Sequence, residues 1–308
     1  MPIWALYAVT VAIWGSSWYG IKEQVGIVAP TVSIAYRFLL AAAMLFLFCV
    51  VTRRSLRFPA RAHAWMALQG LFLFCGNYIL FYYSAMHLVS GLLAVCFSTM
   101  SLMNVVNAAL FLRQRIDRNA ALAALVGLVG IALTFYPKFA EQGERADALL
   151  GLELSMLATL FASFGNIISL KLKSLSIPVV QSNTIGMSYG AFFCFVFSLA
   201  TGAAFNFDPR PGYWMTLIGL ALFASVIGFG CYLSLVQKIG AGRAGYSAVM
   251  FPIVALTLST LLEGYRWTPL AAVGVVLVLS GNLILLLRRP VPVSQSRPAP
   301  QFQKGSAE

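Results

Sequence analysis

A single arginine inside a long apolar run is the residue of this sequence with the clearest chemical potential. Arg37 lies in the run 31–51, which contains no other charged side chain. A guanidinium among apolar side chains must be paired, hydrated or extended to a polar surface. We therefore expect Arg37 either to bind a carboxylate, from a substrate or from a counter-ion such as Glu153, or to be a structural ion pair or a snorkelling side chain.

Polar and aromatic side chains recur at helical spacing along several other apolar runs. With about 100° per residue, Trp14 and Ser17 fall on one side of the run 3–21, and Asn166 belongs to a stripe of small polar residues. Such stripes are costly against lipid and must face other helices or water. These residues either line a cavity or let helices pack closely, with their hydroxyls hydrogen-bonded to backbone carbonyls of the same helix. The candidate cavity residues are Trp14, Ser17, Arg37, Asn77, Tyr78, Tyr82, Ser101, Asn166, Tyr232 and Tyr246.

Residues typical of catalytic or metal sites are few and scattered. The nine acidic residues include no pair inside an apolar run, and the sequence has no Walker motif or Gly-rich phosphate loop. The two histidines, His63 and His87, lie far apart, so we expect no shared metal or triad. The five cysteines all lie in apolar runs without a CxxC pair, which is typical of small buried hydrophobes. We predict no catalytic residue, no metal site and no cofactor.

The composition indicates which elements must position these residues. Of the 308 residues, 60% are hydrophobic and 10% are charged, whereas a soluble domain averages about 45–50% and about 25%. This mixture excludes a soluble enzyme, a DNA-binding module and a disordered chain. The net charge of +12 comes from basic residues between apolar runs, which favours membrane orientation over nucleic-acid binding. The expected partner of the surface is therefore a lipid bilayer.

Apolar runs long enough to cross a bilayer, about 20 residues each, occur ten times. If the N-terminus is cytoplasmic and successive loops alternate between the two sides of the membrane, most lysines and arginines lie on the cytoplasmic face, as the positive-inside rule requires. Both chain ends are then cytoplasmic. Prolines such as Pro137 mark the ends of runs, but Pro252 lies inside one and is a candidate gate, because proline can kink a helix. The runs are 3–21, 31–51, 64–86, 90–112, 119–137, 149–170, 179–201, 213–236, 244–262 and 268–287.

The two halves of the chain resemble each other at a separation of about 148–150 residues. Pro30-Thr31-Val32 opens the second run, and Pro178-Val179-Val180 opens the seventh. Each half has five runs, and because five is odd the second half must enter the membrane from the opposite side. Inverted repeats are typical of secondary transporters, whose substrate lies near the midplane. We predict one five-helix repeat over 1–145, a second over 146–287, and a disordered cytoplasmic tail over 288–308.

Several short motifs, in this order and spacing, carry a family resemblance. They are Trp14-Gly15-Ser16-Ser17, Tyr36-Arg37-Phe38, Gly127-Leu128-Val129-Gly130-Ile131-Ala132-Leu133, Gly151-Leu152-Glu153-Leu154, Met250-Phe251-Pro252 and Glu263-Gly264-Tyr265-Arg266-Trp267-Thr268-Pro269. The sequence resembles the drug/metabolite transporter superfamily, EamA type. The resemblance implies ten helices with cytoplasmic termini, and transport of small metabolites, often amino acids, usually outward.

The sequence departs from that family's pattern at two kinds of position. Leu102 stands where the family often has a proline, and the turns Arg113-Gln114-Arg115 and Gly264-Tyr265-Arg266 replace a Gly-Glu-Arg turn. No coupling role of those family glutamates can therefore be carried over.

The functional expectation is a secondary transporter of the inner or plasma membrane. We expect it to export a small metabolite, an amino acid or related compound, by alternating access, with a coupling ion such as H⁺ as a further partner. The alternatives are a membrane-embedded enzyme, a channel, or a lipid or solute flippase. The substrate, the direction, the coupling ion and the oligomeric state stay open at this point.

Overall fold

The computed structural model describes residues 1–112, 118–140, 145–239, 244 and 246–286, and in these ranges every regular element is a helix. The predicted tail 288–308 and the side chain of Tyr246 lie outside the described part. The first half contains α1 Ile3–Glu23, α2 Pro30–Val51, α3 Ala60–Gln69, the π-helical segment Gly70–Gly76, α4 Asn77–His87, α5 Ser90–Ser98, α6 Met100–Leu112 and α7 Arg118–Ala140. The second half contains α8 Arg145–Ser174, α9 Val179–Ala200, α10 Pro211–Gly219, the π-helical segment Leu220–Gly228, α11 Phe229–Ile239, α12 Tyr246–Leu262 and α13 Pro269–Leu286.

Proline defines where several of these helices begin. Pro30, Pro211 and Pro269 occupy the first helical position of α2, α10 and α13, where a missing N–H costs nothing and the fixed φ suits a helix. Pro137 departs from the expectation that it ends the fifth run, because α7 continues to Ala140. A proline in the last turn leaves that turn intact, since its ring clashes only with the preceding turn. Pro252 lies inside α12, as predicted.

The helices have the lengths and hydropathy of membrane spans. In the described residues, seven continuous helical stretches are long and apolar enough to cross a bilayer, and two shorter apolar helices, Ser247–Leu262 and Pro269–Ile284, accompany them. Helix α1 has 21 residues but is not among the seven, because its tryptophans, tyrosines and serines lower its hydropathy. The chain is an all-α, multi-pass membrane protein. The count of ten crossings stays a prediction.

Two π-helical segments interrupt equivalent stretches of the two halves. Gly70–Gly76 joins α3 to α4, and Leu220–Gly228 joins α10 to α11. A π-helix replaces i→i+4 hydrogen bonds with i→i+5 bonds, which widens the turn and changes which side chains and carbonyls face the neighbouring helices. In the second segment the Ala224 carbonyl accepts a hydrogen bond from the indole of Trp14 in α1, at 3.0 Å. The π-helical turn thus helps to hold an aromatic ring at the centre of the protein.

Helices α7 and α13 pack almost backbone to backbone. A Cβ added at Gly130 would lie 2.7 Å from the Gly274 carbonyl oxygen, and one added at Gly281 would lie 2.8 Å from the Ala123 oxygen. Small residues permit such close approach, which is the usual way that helices gain packing energy within a bilayer. This pair forms a rigid flank beside the helices that surround the cavity described next.

Candidate binding cavity

A cavity lies between α1, α4, α8, α11, the first π-helical segment and the α5–α6 stretch. About 30 Å³ of its volume admits the centre of a water molecule, and one water needs about 10–15 Å³ of such space. The cavity in this conformation is therefore large enough for water but must widen to admit an organic molecule. It is lined by Trp14, Ser17, Trp18, Ile21, Leu73, Asn77, Tyr78, Phe81, Phe97, Met100, Ala162, Asn166, Phe229 and Tyr232.

Aromatic rings form most of the cavity wall. The Trp14 ring centroid lies 4.7 Å from that of Phe229 and 4.8 Å from that of Tyr232. Trp18 lies 4.9 Å from Phe81, in an edge-to-face arrangement. Such geometries add stabilisation beyond the area buried, so the rings hold one another in place. The wall is consequently a packed, largely apolar surface.

Amide groups interrupt this wall and leave polar atoms without partners. The Asn166 Nδ2 group contacts three acceptors, the Tyr232 hydroxyl at 3.2 Å, Met100 Sδ at 3.3 Å and Asn104 Oδ1 at 3.4 Å. By contrast, Asn166 Oδ1, Asn77 Oδ1 and Trp18 Nε1 are buried without a hydrogen-bond partner. Buried polar groups are normally satisfied, because leaving one unpaired costs about 1–3 kcal/mol. The cavity therefore has the chemistry to receive a partly polar ligand or water.

Arg37 lies beside the cavity and is fully buried. Its Nε donates to Ser225 Oγ at 3.0 Å, and its Nη2 donates to the Tyr78 hydroxyl at 3.4 Å. The guanidinium carbon lies 4.6 Å from the centroid of the Tyr78 ring, within the range of a cation–π interaction. Glu153, the counter-ion suggested by the sequence, is exposed on α8 and makes no ion pair with Arg37. That suggestion was wrong, because Glu153 lies on the face of α8 that points away from the buried core.

The structure brings together six of the predicted cavity residues: Trp14, Ser17, Asn77, Tyr78, Asn166 and Tyr232.

The other predicted site residues have different positions. Tyr82 and Ser101 are buried but do not line the cavity, and Arg37 is separated from it by Tyr78. Pro252 lies in α12, which contributes no described lining residue, although Phe251 packs on Trp14.

Sequence reasoning missed the apolar part of the lining. An apolar side chain such as Phe97, Met100 or Phe229 gives no sign in the sequence of whether it faces a cavity, another helix or lipid, even where its neighbours are polar. Trp18 and Phe81 carry a weak signal, because helical spacing places each of them near a predicted cavity residue.

A many-helix membrane fold around a central amphipathic cavity places the chain among the multi-pass membrane proteins with an internal site, a class that includes the membrane transporters. The comparisons with known proteins make this specific. The model of the EamA-like transporter family matches residues 2–136 and again residues 149–287. The chain belongs to this family, within the drug/metabolite transporter superfamily.

Similar proteins agree with that assignment. The chain is 27% identical to the uncharacterized inner membrane transporter YedA of Escherichia coli, over 99% of this chain and 96% of that protein. It is 25% identical to the protein PagO of Salmonella typhimurium, over 94% of each chain. A solved crystal structure superposes with a TM-score of 0.67 at 16% identity, covering 91% of this chain and 94% of that chain. At that identity the likeness shows the fold.

Proposed function

We propose that this protein exports a small metabolite, an amino acid or related compound, as a secondary transporter that works by alternating access. The observation that carries the proposal is the central cavity, whose aromatic wall holds three unpartnered polar atoms. An apolar wall with a few fixed polar groups is the usual architecture of a small-molecule site. Its position among helices of both halves is where transporters with internal repeats place their substrates.

Repeated packing contacts support a two-fold relation between the halves. A Cβ at Gly76, the end of the first π-helical segment, would lie 2.6 Å from Phe161 of α8. Gly228, the end of the second π-helical segment, contacts Trp14 of α1 in the same way. Each half thus packs its π-helical segment against the first helix of the other half. Two similar halves with exchanged roles can interconvert between two equivalent arrangements, which is the physical basis of alternating access.

In each half, a lysine near the end of the first helix donates to backbone carbonyls of a later helix. We interpret these two contacts as holding the protein closed at opposite ends of the cavity. Lys22, near the end of α1, donates to the Ala85 carbonyl at 2.5 Å and the Leu88 carbonyl at 3.3 Å. Lys173, near the end of α8, donates to the Gln237 carbonyl. Cations stabilise the C-terminal carbonyls of a helix. Releasing one lysine while keeping the other would open one side only.

The end of the protein that carries Lys22 has a further closure. Glu263, after the end of α12, accepts hydrogen bonds from the Ser90 backbone N–H at 3.0 Å and from Ser90 Oγ at 2.6 Å. A carboxylate at a helix N-terminus is stabilised by the helix dipole. The contact ties α12 to α5, so opening this side requires breaking a charge-assisted pair. We place this side outside the cell, with both chain ends in the cytoplasm, because of the positive-inside charge distribution.

The test is a metabolite-toxicity screen of cells with and without the gene, followed by flux of the protective compound in proteoliposomes. We expect protection against one class of amino acids or analogues, and flux that saturates with concentration. Trp14→Ala should abolish both, because it removes a central cavity wall. Trp267→Ala is the matched control, since Trp267 is 45% exposed and lies outside the cavity. Absence of any flux in proteoliposomes, or flux that never saturates, would overturn the proposal.

A further inference from the structure

Arg37 carries a buried positive charge for which the described part of the chain supplies no acidic partner. The side chain is 0% exposed and its Nη1 has no hydrogen-bond partner. The described acidic residues are exposed or have partners elsewhere: Glu23, Asp147 and Glu153 are exposed, Asp208 pairs with Arg210, and Glu263 accepts hydrogen bonds from Ser90. A buried charge without a counter-ion is strongly unfavourable. The buried guanidinium is therefore a candidate anion-binding group.

Neighbouring groups hold this guanidinium in one orientation. Ser225 in the second π-helical segment accepts from Nε, and Tyr78 in α4 accepts from Nη2. These contacts use the Nε and Nη2 donors of the planar guanidinium and leave the Nη1 donors without a hydrogen-bond partner. The position of the free donors is thus set by three separate elements, α2, α4 and the second π-helical segment.

A tyrosine hydroxyl lies in the same region. Tyr82 follows Tyr78 by one helical turn, so the two rings share a face of α4. Tyr82 is 0% exposed, and its hydroxyl lies beside the Arg37 guanidinium without a hydrogen bond of standard geometry. A carboxylate has two acceptor oxygens, and a guanidinium with an added O–H donor is a suitable set of partners for them.

The route from the cavity to this site passes Tyr78. The Tyr78 ring lines the cavity, and Arg37 lies against the same ring. The hydrogen bond of 3.4 Å between Arg37 and the Tyr78 hydroxyl is long, hence weak. Access from the cavity to the Nη1 donors therefore requires Tyr78 to rotate, which gives up its weak hydrogen bond and its packing on Phe38, whose ring centroid lies 4.9 Å away.

We propose that Arg37, with the Tyr82 hydroxyl, binds the carboxylate of the transported molecule. The body of that molecule then lies against the aromatic wall formed by residues such as Trp14, Trp18 and Phe97. The substrate class is an organic carboxylate with an apolar body. This inference rests on the proposed function, since it assigns a substrate group to the same cavity.

The experiment compares acids with their amides as ligands of the purified full-length protein. Thermal unfolding in detergent is measured with phenylacetate and phenylacetamide, L-phenylalanine and L-phenylalaninamide, L-leucine and L-leucinamide, and sodium chloride at matched ionic strength. We expect at least one acid to stabilise the wild type at a concentration about tenfold or more below that of its amide, because hydrogen bonds to a charged group contribute about that factor. Chloride should have no such effect.

Three variants assign the preference to Arg37. Arg37→Gln should abolish the acid preference, and Arg37→Lys should retain part of it, because lysine keeps the charge but not the planar fork. Arg266→Gln is the matched control: it removes the same charge from an exposed position outside the cavity, so the preference should survive. If Arg37→Gln does not fold, the wild-type comparison of acid and amide and the Arg37→Lys variant still decide.

Several outcomes would overturn the assignment. They are equal binding of acids and amides by the wild type, no stabilisation by any of the acids, a preference that survives in Arg37→Gln, or a stabilisation that chloride reproduces. Saturable proteoliposome flux without an acid preference would leave the transporter proposal standing and remove this one. Absence of flux for every compound would instead remove the proposed function itself.

Discussion

Replacing Gly228 by alanine tests whether the position of Trp14 is set by the second π-helical segment. A Cβ at this position would lie 2.9 Å from Trp14 Cδ1 and closer still to Nε1, nearer than real Cβ atoms come. The indole is 6% exposed and is packed against Phe229, Tyr232 and Phe251, so it can move only toward the cavity that it lines. The ring must shift, and its hydrogen bond to the Ala224 carbonyl must lengthen or break.

The magnitude follows from opposing terms. Overpacking costs about 1–3 kcal/mol, and loss of the indole hydrogen bond costs about 1 kcal/mol. Alanine has a higher helix propensity than glycine, and this offsets the destabilisation by about 0.5–1 kcal/mol. The net destabilisation should therefore be about 1–3.5 kcal/mol, with a large loss of flux because a cavity wall moves.

Gly230→Ala is the matched control for this substitution. Gly230 lies two residues further along the same helix, and a Cβ there would meet no atom within 4 Å. This variant should be stabilised by about 0.5–1 kcal/mol and should keep its flux. The assay is thermal unfolding of both proteins in detergent, together with flux in proteoliposomes. Equal stability and equal flux of the two variants would refute the reasoning about Trp14.

Three further predictions concern other parts of the molecule. In the loop before α10, the Arg210 guanidinium holds the pKa of Asp208 below its usual range. The pair therefore stabilises the folded protein fully at a pH above the unfolded-state pKa of about 3.9. This stabilisation is lost as the pH falls through the lower pKa of the folded state. Asp208→Asn should therefore lower the melting temperature at pH 7 and have no effect at strongly acidic pH; an equal effect at both would contradict this. Ser84 Oγ donates to the Gly151 carbonyl at 2.6 Å and lies 2.7 Å from Ser155 Oγ, so it links α4 to α8. Ser84→Ala should therefore cost about 0.6 kcal/mol or more in unfolding experiments, and an unchanged stability would contradict this. Lys22→Met should increase maleimide labelling of a cavity cysteine from one membrane face, and Lys173→Met should increase it from the opposite face. An increase from the same face in both variants would show that the two lysines do not close opposite ends of the cavity.

The membrane fold could be predicted from the sequence because its signals are strong and local. Long apolar runs have few alternatives to a spanning helix, and prolines such as Pro30, Pro211 and Pro269 mark helix starts. The helix bounds agree with the runs to within a few residues, except where a helix continues past the apolar part, as α8 does toward Arg145 and Ser174. The π-helical segments carried no signal, because a wider turn depends on tertiary packing and leaves the residue pattern unchanged.

The candidate site could be predicted only where it is polar. Trp14, Asn77 and Asn166 were identified because an amide or an indole inside an apolar helix requires a partner. Phe97 and Phe229 were missed, because a phenylalanine that lines a cavity and one that faces lipid look alike in a sequence. Arg37 was identified as a buried cation, but its relation to Glu153 depended on which way α8 is rotated, and the sequence does not determine that rotation.

Alternating exposure of the cavity is the central claim, and cysteine labelling from each side of the membrane tests it most directly. In a background without the five native cysteines, Ser17→Cys places a thiol on the cavity wall, and Ser16→Cys places one on the adjacent exposed face of α1. A membrane-impermeant maleimide should modify Cys at 17 when it is added from either side, and should leave the lipid-facing position 16 unmodified. Labelling of position 17 from one side only, under every condition and in both lysine variants, would contradict the account.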